Sequence, residues 1–121
     1  MKNLFILISL FSFSIKAFSQ IEKENYKQVA TKFVSFYNID KNDSIVAMFS
    51  PEMNAALPLD KFSQVTAGLK VQLGSIKKIR FVRLQSASAL YETTFDNAVL
   101  GMTITLNPKN EISALIDHVE D

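Results

Sequence analysis

Ala98-Val99-Leu100-Gly101-Met102-Thr103-Ile104-Thr105-Leu106 divides into two alternating sets of side chains. Ala98, Leu100, Met102, Ile104 and Leu106 fall on one side of an extended chain, and Val99, Gly101, Thr103 and Thr105 on the other. A period of two marks a β-strand with one buried and one wetter face. Three further stretches extend the pattern. Residues 76–84 carry two competing faces, Ile79 with Phe81 and Val82 with Leu84, which a bulge near Phe81 reconciles. Residues 89–95 set Ala89, Tyr91, Thr93 and Phe95 together. Residues 111–119 set Ile112, Ala114, Ile116 and His118 together. Gln85 to Ser88, Asp96-Asn97 and Asn107-Pro108-Lys109-Asn110 supply the turns, the second as a two-residue hairpin loop. The reading is a four-stranded antiparallel meander.

Upstream the period changes to that of helices. In residues 21–38 Tyr26, Val29, Ala30, Phe33, Val34 and Tyr37 recur at steps of three and four, opposite a polar side. Asp43 is positioned to cap a short helix over 44–49. Ser50-Pro51-Glu52 then reads as a cap, a first-turn proline and a first-turn acid for a helix over 51–57. Asp60 is read as the cap of a last helix over 61–73, with Phe62, Val65, Leu69 and Leu73 as its stripe and Gly74 as its stop. Gly68 inside that helix costs about 1 kcal/mol against alanine, so close packing or a kink is expected there. Helices followed by a meander predict an α+β domain, with the helices on one face of a sheet curled into a cone.

The chain has 121 residues, 13 basic and 12 acidic, which suits one domain and gives no field for nucleic acid. Met1-Lys2-Asn3 and the apolar run from Leu4 to Ile15 lead into Ala17-Phe18-Ser19. This is the pattern of a secretory signal peptide over 1–19, cut before Gln20, leaving a single domain over 20–121 in a secreted or periplasmic setting. No membrane attachment is expected after cleavage; the alternative reading of the same run is an uncleaved N-terminal anchor. The chain has no cysteine, hence neither disulfides nor a lipid-bearing cysteine.

Phe33 to Tyr37, Met48-Phe49-Ser50-Pro51-Glu52-Met53, Ala56-Leu57-Pro58-Leu59 and Leu69-Lys70-Val71-Gln72-Leu73-Gly74-Ser75-Ile76 follow one another in this order, with Tyr91-Glu92-Thr93-Thr94-Phe95 in the hairpin. Over nearly the whole chain after residue 19 this resembles a bacterial domain of unknown function in the nuclear-transport-factor-2-like (cystatin-like) superfamily. The resemblance implies a cone-shaped fold and frequent export. It also implies frequent fusion ahead of a serine hydrolase or an α/β-hydrolase, which the sequence ending at Asp121 does not include. It implies no chemistry.

The residues themselves offer little for catalysis. No phosphate loop, metal-ligand cluster or nucleophile elbow occurs, and no cofactor is expected. The single histidine, His118, would have to serve any triad. Asp40, Asp43, Glu92, Asp96 and Asp117 are read as solvated, with nothing to move their pKa toward neutrality. Tyr37, Tyr91, Met102 and His118 are the candidate lining of a pocket in the cone, the tyrosines offering a ring and a hydroxyl. The alternative for each is plain core or strand-end packing. The expected role is a non-catalytic exported domain that takes a small apolar or amphipathic ligand or docks an envelope protein. Homodimerisation could use the outer sheet face of Thr103, Thr105, Leu90, Glu92 and Thr94. The rival is an isomerase- or lyase-type enzyme using Tyr37, Tyr91 or His118.

Overall fold

A computed structural model describes residues 21–118; the signal-peptide reading of 1–19 and the last residue of the fourth predicted strand lie outside them. Four helices come first: α1 (Glu24–Asn38), α2 (Asn42–Val46), α3 (Pro51–Ala56) and α4 (Leu59–Leu73). Four strands follow, β1 (Ile76–Gln85), β2 (Ser88–Phe95), β3 (Val99–Leu106) and β4 (Ile112–His118), in sheet order β1-β2-β3-β4 with every pairing antiparallel. This is an α+β fold with a curled meander.

The inner face of the sheet is read from register. Ile79 pairs Thr93, Phe81 pairs Tyr91, Tyr91 pairs Met102 and Ala89 pairs Ile104. These rows meet Tyr26, Val29, Ala30, Phe33 and Tyr37, the predicted stripe of α1. Phe49 and Phe62 stack edge to face with ring centroids 5.3 Å apart and close the core from the side of α4.

Three fastenings tie helices to strands. Tyr26 Oη donates to the Ala87 carbonyl at 2.6 Å, holding the β1–β2 turn on α1. At the other end of α1, Asn38 Nδ2 donates to the Ile76 carbonyl and Asn38 Oδ1 accepts from the Ile76 amide, both at 2.9 Å. This side chain meets the first residue of β1 as a neighbouring strand would. The β2–β3 turn reaches the end of α4: the Asn97 amide donates to the Leu73 carbonyl, and Asn97 Nδ2 to the Gln72 carbonyl. Those carbonyls have no partner within the helix, so the turn satisfies what the helix leaves open.

Several expectations are corrected. The β2–β3 connection has three residues, 96 to 98, because Asp96 turns to Ser75, its amide donating to the Ser75 carbonyl and its Oδ2 accepting from the Ser75 amide. Neither Asp43 nor Asp60 caps a helix; each lies in a first turn, behind Lys41 and Pro58 at the boundaries. Ser50 does cap α3, its Oγ accepting from the Met53 amide at 3.1 Å. On α4 the inward stripe is Phe62, Thr66, Leu69 and Leu73, while Val65 is exposed. A side chain at Gly68 would meet nothing within 4 Å, so close packing is not its reason.

The predicted bulge in β1 is present, between Phe81 and Arg83. A further register shift interrupts β1 at Ile76/Lys78, and β4 carries a bulge that its sequence does not announce. Leu106 pairs Ile112, yet Thr105 pairs Ala114, so Ser113 is the extra residue of β4. One inserted residue exchanges the two faces of everything after it. Ile112 stays inside, Leu115 and Asp117 follow it opposite Ile104 and Met102, and Ala114, Ile116 and His118 turn outward. The single face predicted for Ile112, Ala114, Ile116 and His118 is thereby broken.

Candidate functional site

The four sequence candidates separate. Tyr37 is 1% exposed, between a stacked Phe33 and an edge-on Phe95, and its hydroxyl donates to the Gly74 carbonyl at 2.9 Å. Lys70 Nζ lies 4.8 Å from its ring centroid and 2.7 Å from Asp40 Oδ1. Burial, then the carboxylates of Asp117, Asp40 and Asp96, push the Tyr37 pKa up to about 12. Tyr91 is equally buried; Phe81 meets its ring edge on, and its hydroxyl donates to Glu22 Oε2 at 2.8 Å. Burial first, and then the bond to Glu22, raise its pKa well beyond the usual tyrosine range. Met102 is fully enclosed between Tyr91 and Asp117 in the same row. His118 is exposed on the outer face, its Nε2 3.4 Å from Thr103 Oγ1.

Asp117 is the residue that sequence reading misplaced. It was expected in water. The Ser113 bulge turns it inward, and its Oδ1 is buried without a hydrogen-bond partner. Desolvation raises its pKa above the ordinary carboxylate value, against an opposing pull from His118. The inner row across the sheet is therefore Phe81, Tyr91, Met102 and Asp117, with Tyr37 of α1 close enough to feel the acid.

Two clefts open elsewhere, on either side of the β3–β4 turn, and none of the four candidates lines them. The first holds about 280 Å³ and is bounded by Asn25, Gln28, Val29 and Lys32 of α1, Ala47 and Met48 after α2, and Asn110 and Glu111. Its α1 residues are spaced to share one helix face. Asn25 Nδ2 donates to Asn110 Oδ1 at 2.9 Å and joins the two walls. The second cleft, about 310 Å³, lies between Pro51-Glu52 and Asn107, Pro108, Lys109 and Glu111. The turn between them is stiff: Asn107 Oδ1 accepts from the amides of Lys109 and Glu111, Asn107 Nδ2 donates to Glu111 Oε1, and Asn110 adopts a positive φ of 63°. Helix periodicity gives the face of Asn25, Gln28 and Lys32, but nothing in the sequence joins it to a turn some eighty residues away.

The outer sheet face is mixed. Arg83, Leu90, Thr103 and Ile116 form one row, and Arg80, Glu92, Gly101 and His118 the next. Arg80 Nε sits 3.2 Å from Glu92 Oε1, and this guanidinium holds the Glu92 carboxyl below the usual range. Leu90 is only 6% exposed although it faces away from the helices. Among the described residues no three His, Cys, Asp or Glu side chains group as metal ligands, and no helix is long and apolar enough to cross a membrane.

A helix-covered curled four-stranded meander with clefts beside the β3–β4 turn defines a small α+β module. The chain belongs to the DUF3887 family, proteins of unknown function, whose pattern matches residues 30–115. No curated protein and no solved structure gives a significant match.

Proposed function

We propose that the protein is a non-catalytic binding module for a small amphipathic ligand, held in the cleft between α1 and the β3–β4 turn. The cleft carries the reading: it combines the apolar Val29, Ala47 and Met48 with the polar groups of Asn25, Gln28, Lys32 and Asn110 and with the Glu111 carboxylate, which Asn107 Nδ2 already engages. Its volume of about 280 Å³ suits a molecule of few heavy atoms. A ligand would lay its apolar part on Met48 and Val29 and direct an acceptor to Lys32 and the amides. The curled sheet is read as a cone of the nuclear-transport-factor-2-like kind, a reading supported by the order of helices and meander, with Tyr37, Tyr91, Met102 and Ile104 buried among its inward side chains. Work outside the cytoplasm is part of the proposal, supported by the apolar run that ends at Ala17-Phe18-Ser19. Native mass spectrometry tests it. A small molecule retained by the wild-type protein and lost from an Asn25→Ala, Lys32→Ala variant is expected. Equal retention by both moves the ligand elsewhere.

One observation favours a second reading, an isomerase- or lyase-type enzyme. Asp117 is a half-buried acid with one enclosed oxygen and a raised pKa near Tyr37, the kind of group that proton transfer requires. That reading needs a substrate space beside Asp117, and neither cleft touches it. His118, exposed on the outer face, has no part in it.

A further inference from the structure

The outward side chains of β1 form a line of cations. Lys78 pairs Thr94, Arg80 pairs Glu92 and Arg83 pairs Leu90, all on the face turned away from the helices. The bulge between Phe81 and Arg83 is what aligns them. Arg83 stands three residues after Arg80, an odd step that in a regular strand turns a side chain to the inner face. Val82 is the extra residue, and it returns Arg83 to the outer one. The partners Thr94, Glu92 and Leu90 are two residues apart on β2, so successive cations are spaced about 7 Å. Lys78, Arg80 and Arg83 are exposed, and none of them lines either cleft.

Little on the same face answers this charge. Among the described residues, Glu92 is the one carboxylate that the strand register places there. It lies 3.2 Å from Arg80 Nε, and Lys78 adds a weaker pull on it. The Arg80 side chain is still 63% exposed, and Arg83 stands opposite the apolar Leu90. Like charges at this spacing repel, and one acid does not balance the row. Guarding a sheet edge calls for charges along the strand, but not for their alignment on one side of it.

We propose that this row docks an extended acidic segment of another protein, through side chains and not as an added strand. In an extended chain alternate side chains share one side at the same interval of about 7 Å. Carboxylates at alternate positions therefore meet Lys78, Arg80 and Arg83 in register. Arg80 and Arg83 carry planar guanidinium forks, which take carboxylates in bidentate fashion. The register shifts at Ile76/Lys78 and Phe81/Arg83 oppose ladder pairing along the same strand. The geometry disfavours the other occupants. A lipid surface is a plane of phosphates and calls for cations spread over a face, whereas these lie on one strand. A second copy docking by this same face brings the same excess of cations, with only its own Glu92 to offset them.

Heteronuclear NMR of the folded protein at low salt, titrated with two capped peptides of equal composition, tests this. One peptide alternates glutamate and threonine; the other gathers its glutamates in one block and its threonines in another. The alternating peptide should shift the amides of Lys78, Arg80 and Arg83, bind about threefold or more tightly than the block peptide, and weaken as salt rises. A double variant, Lys78→Gln with Arg83→Gln, should bind it about five- to tenfold more weakly. Both positions are exposed and the Arg80–Glu92 pair is kept, so the variant retains the core. Equal affinity for the two peptides, or equal affinity of variant and wild type for the alternating one, overturns the proposal. Co-sedimentation with phosphatidylglycerol vesicles that the variant loses, without peptide binding by the wild type, overturns it as well and assigns the row to a membrane surface.

Discussion

Two glycines of the same helical region make opposite demands. Gly74 stops α4 with φ 85°, and a side-chain carbon there would lie 2.5 Å from Asp96 Oδ2. A left-handed backbone alone costs an L-residue about 1–2 kcal/mol, and the contact with Asp96 adds to it. Gly74→Ala should therefore lower stability by at least about 2 kcal/mol in a urea unfolding curve, through loss of the Ser75–Asp96 pairing. Gly68 has neither constraint. Gly68→Ala should raise stability by about 1 kcal/mol in the same measurement, since the helix gains propensity and nothing clashes. Asp117 is the residue least visible in advance. Ser113-Ala114-Leu115-Ile116-Asp117-His118 carries an apolar side chain on both faces, so either phase reads as a strand. In β1 the conflict between Phe81 and Val82 forced a bulge into view; in β4 no such conflict arises.

Among elements, the strands and α1 were legible because their periodicity is long and uninterrupted. Helix starts were less so. Asp43 and Asp60 have the right chemistry for caps, but the chain enters each helix two residues earlier. β1 is the first strand of the sheet order among the described residues, and it shows how a sheet edge is managed. Lys77, Lys78, Arg80 and Arg83 are exposed along it, and register shifts interrupt it at Ile76/Lys78 and at Phe81/Arg83. Charge and bulges both discourage another strand from pairing there. Replacing Lys78, Arg80 and Arg83 by threonine should leave the fold intact and promote self-association. Sedimentation velocity would register this as larger species at concentrations where the wild type shows none. An unchanged distribution would assign the protection to the bulges alone.

At the scale of the whole molecule, the α+β architecture and the side on which the helices lie were readable, because both follow from where apolar residues recur. The site was not. Tyr37 and Tyr91, read from the sequence as candidate pocket lining, line neither cleft and have their hydroxyls engaged by Gly74 and Glu22. The first cleft arises where α1, the segment after α2 and the β3–β4 turn converge, and no local pattern announces that meeting. The claim that matters most is that small molecules bind at this convergence and not inside the curl. Heteronuclear NMR of the folded protein, titrated with hexanoate and with hexylammonium as amphipathic probes, tests it most directly. Shifts centred on Asn25, Gln28, Lys32, Asn110 and Glu111, strongest with hexanoate because Lys32 receives its carboxylate, are the expected result. Shifts centred on Tyr37, Tyr91 and Met102, with the cleft residues unmoved, would contradict it.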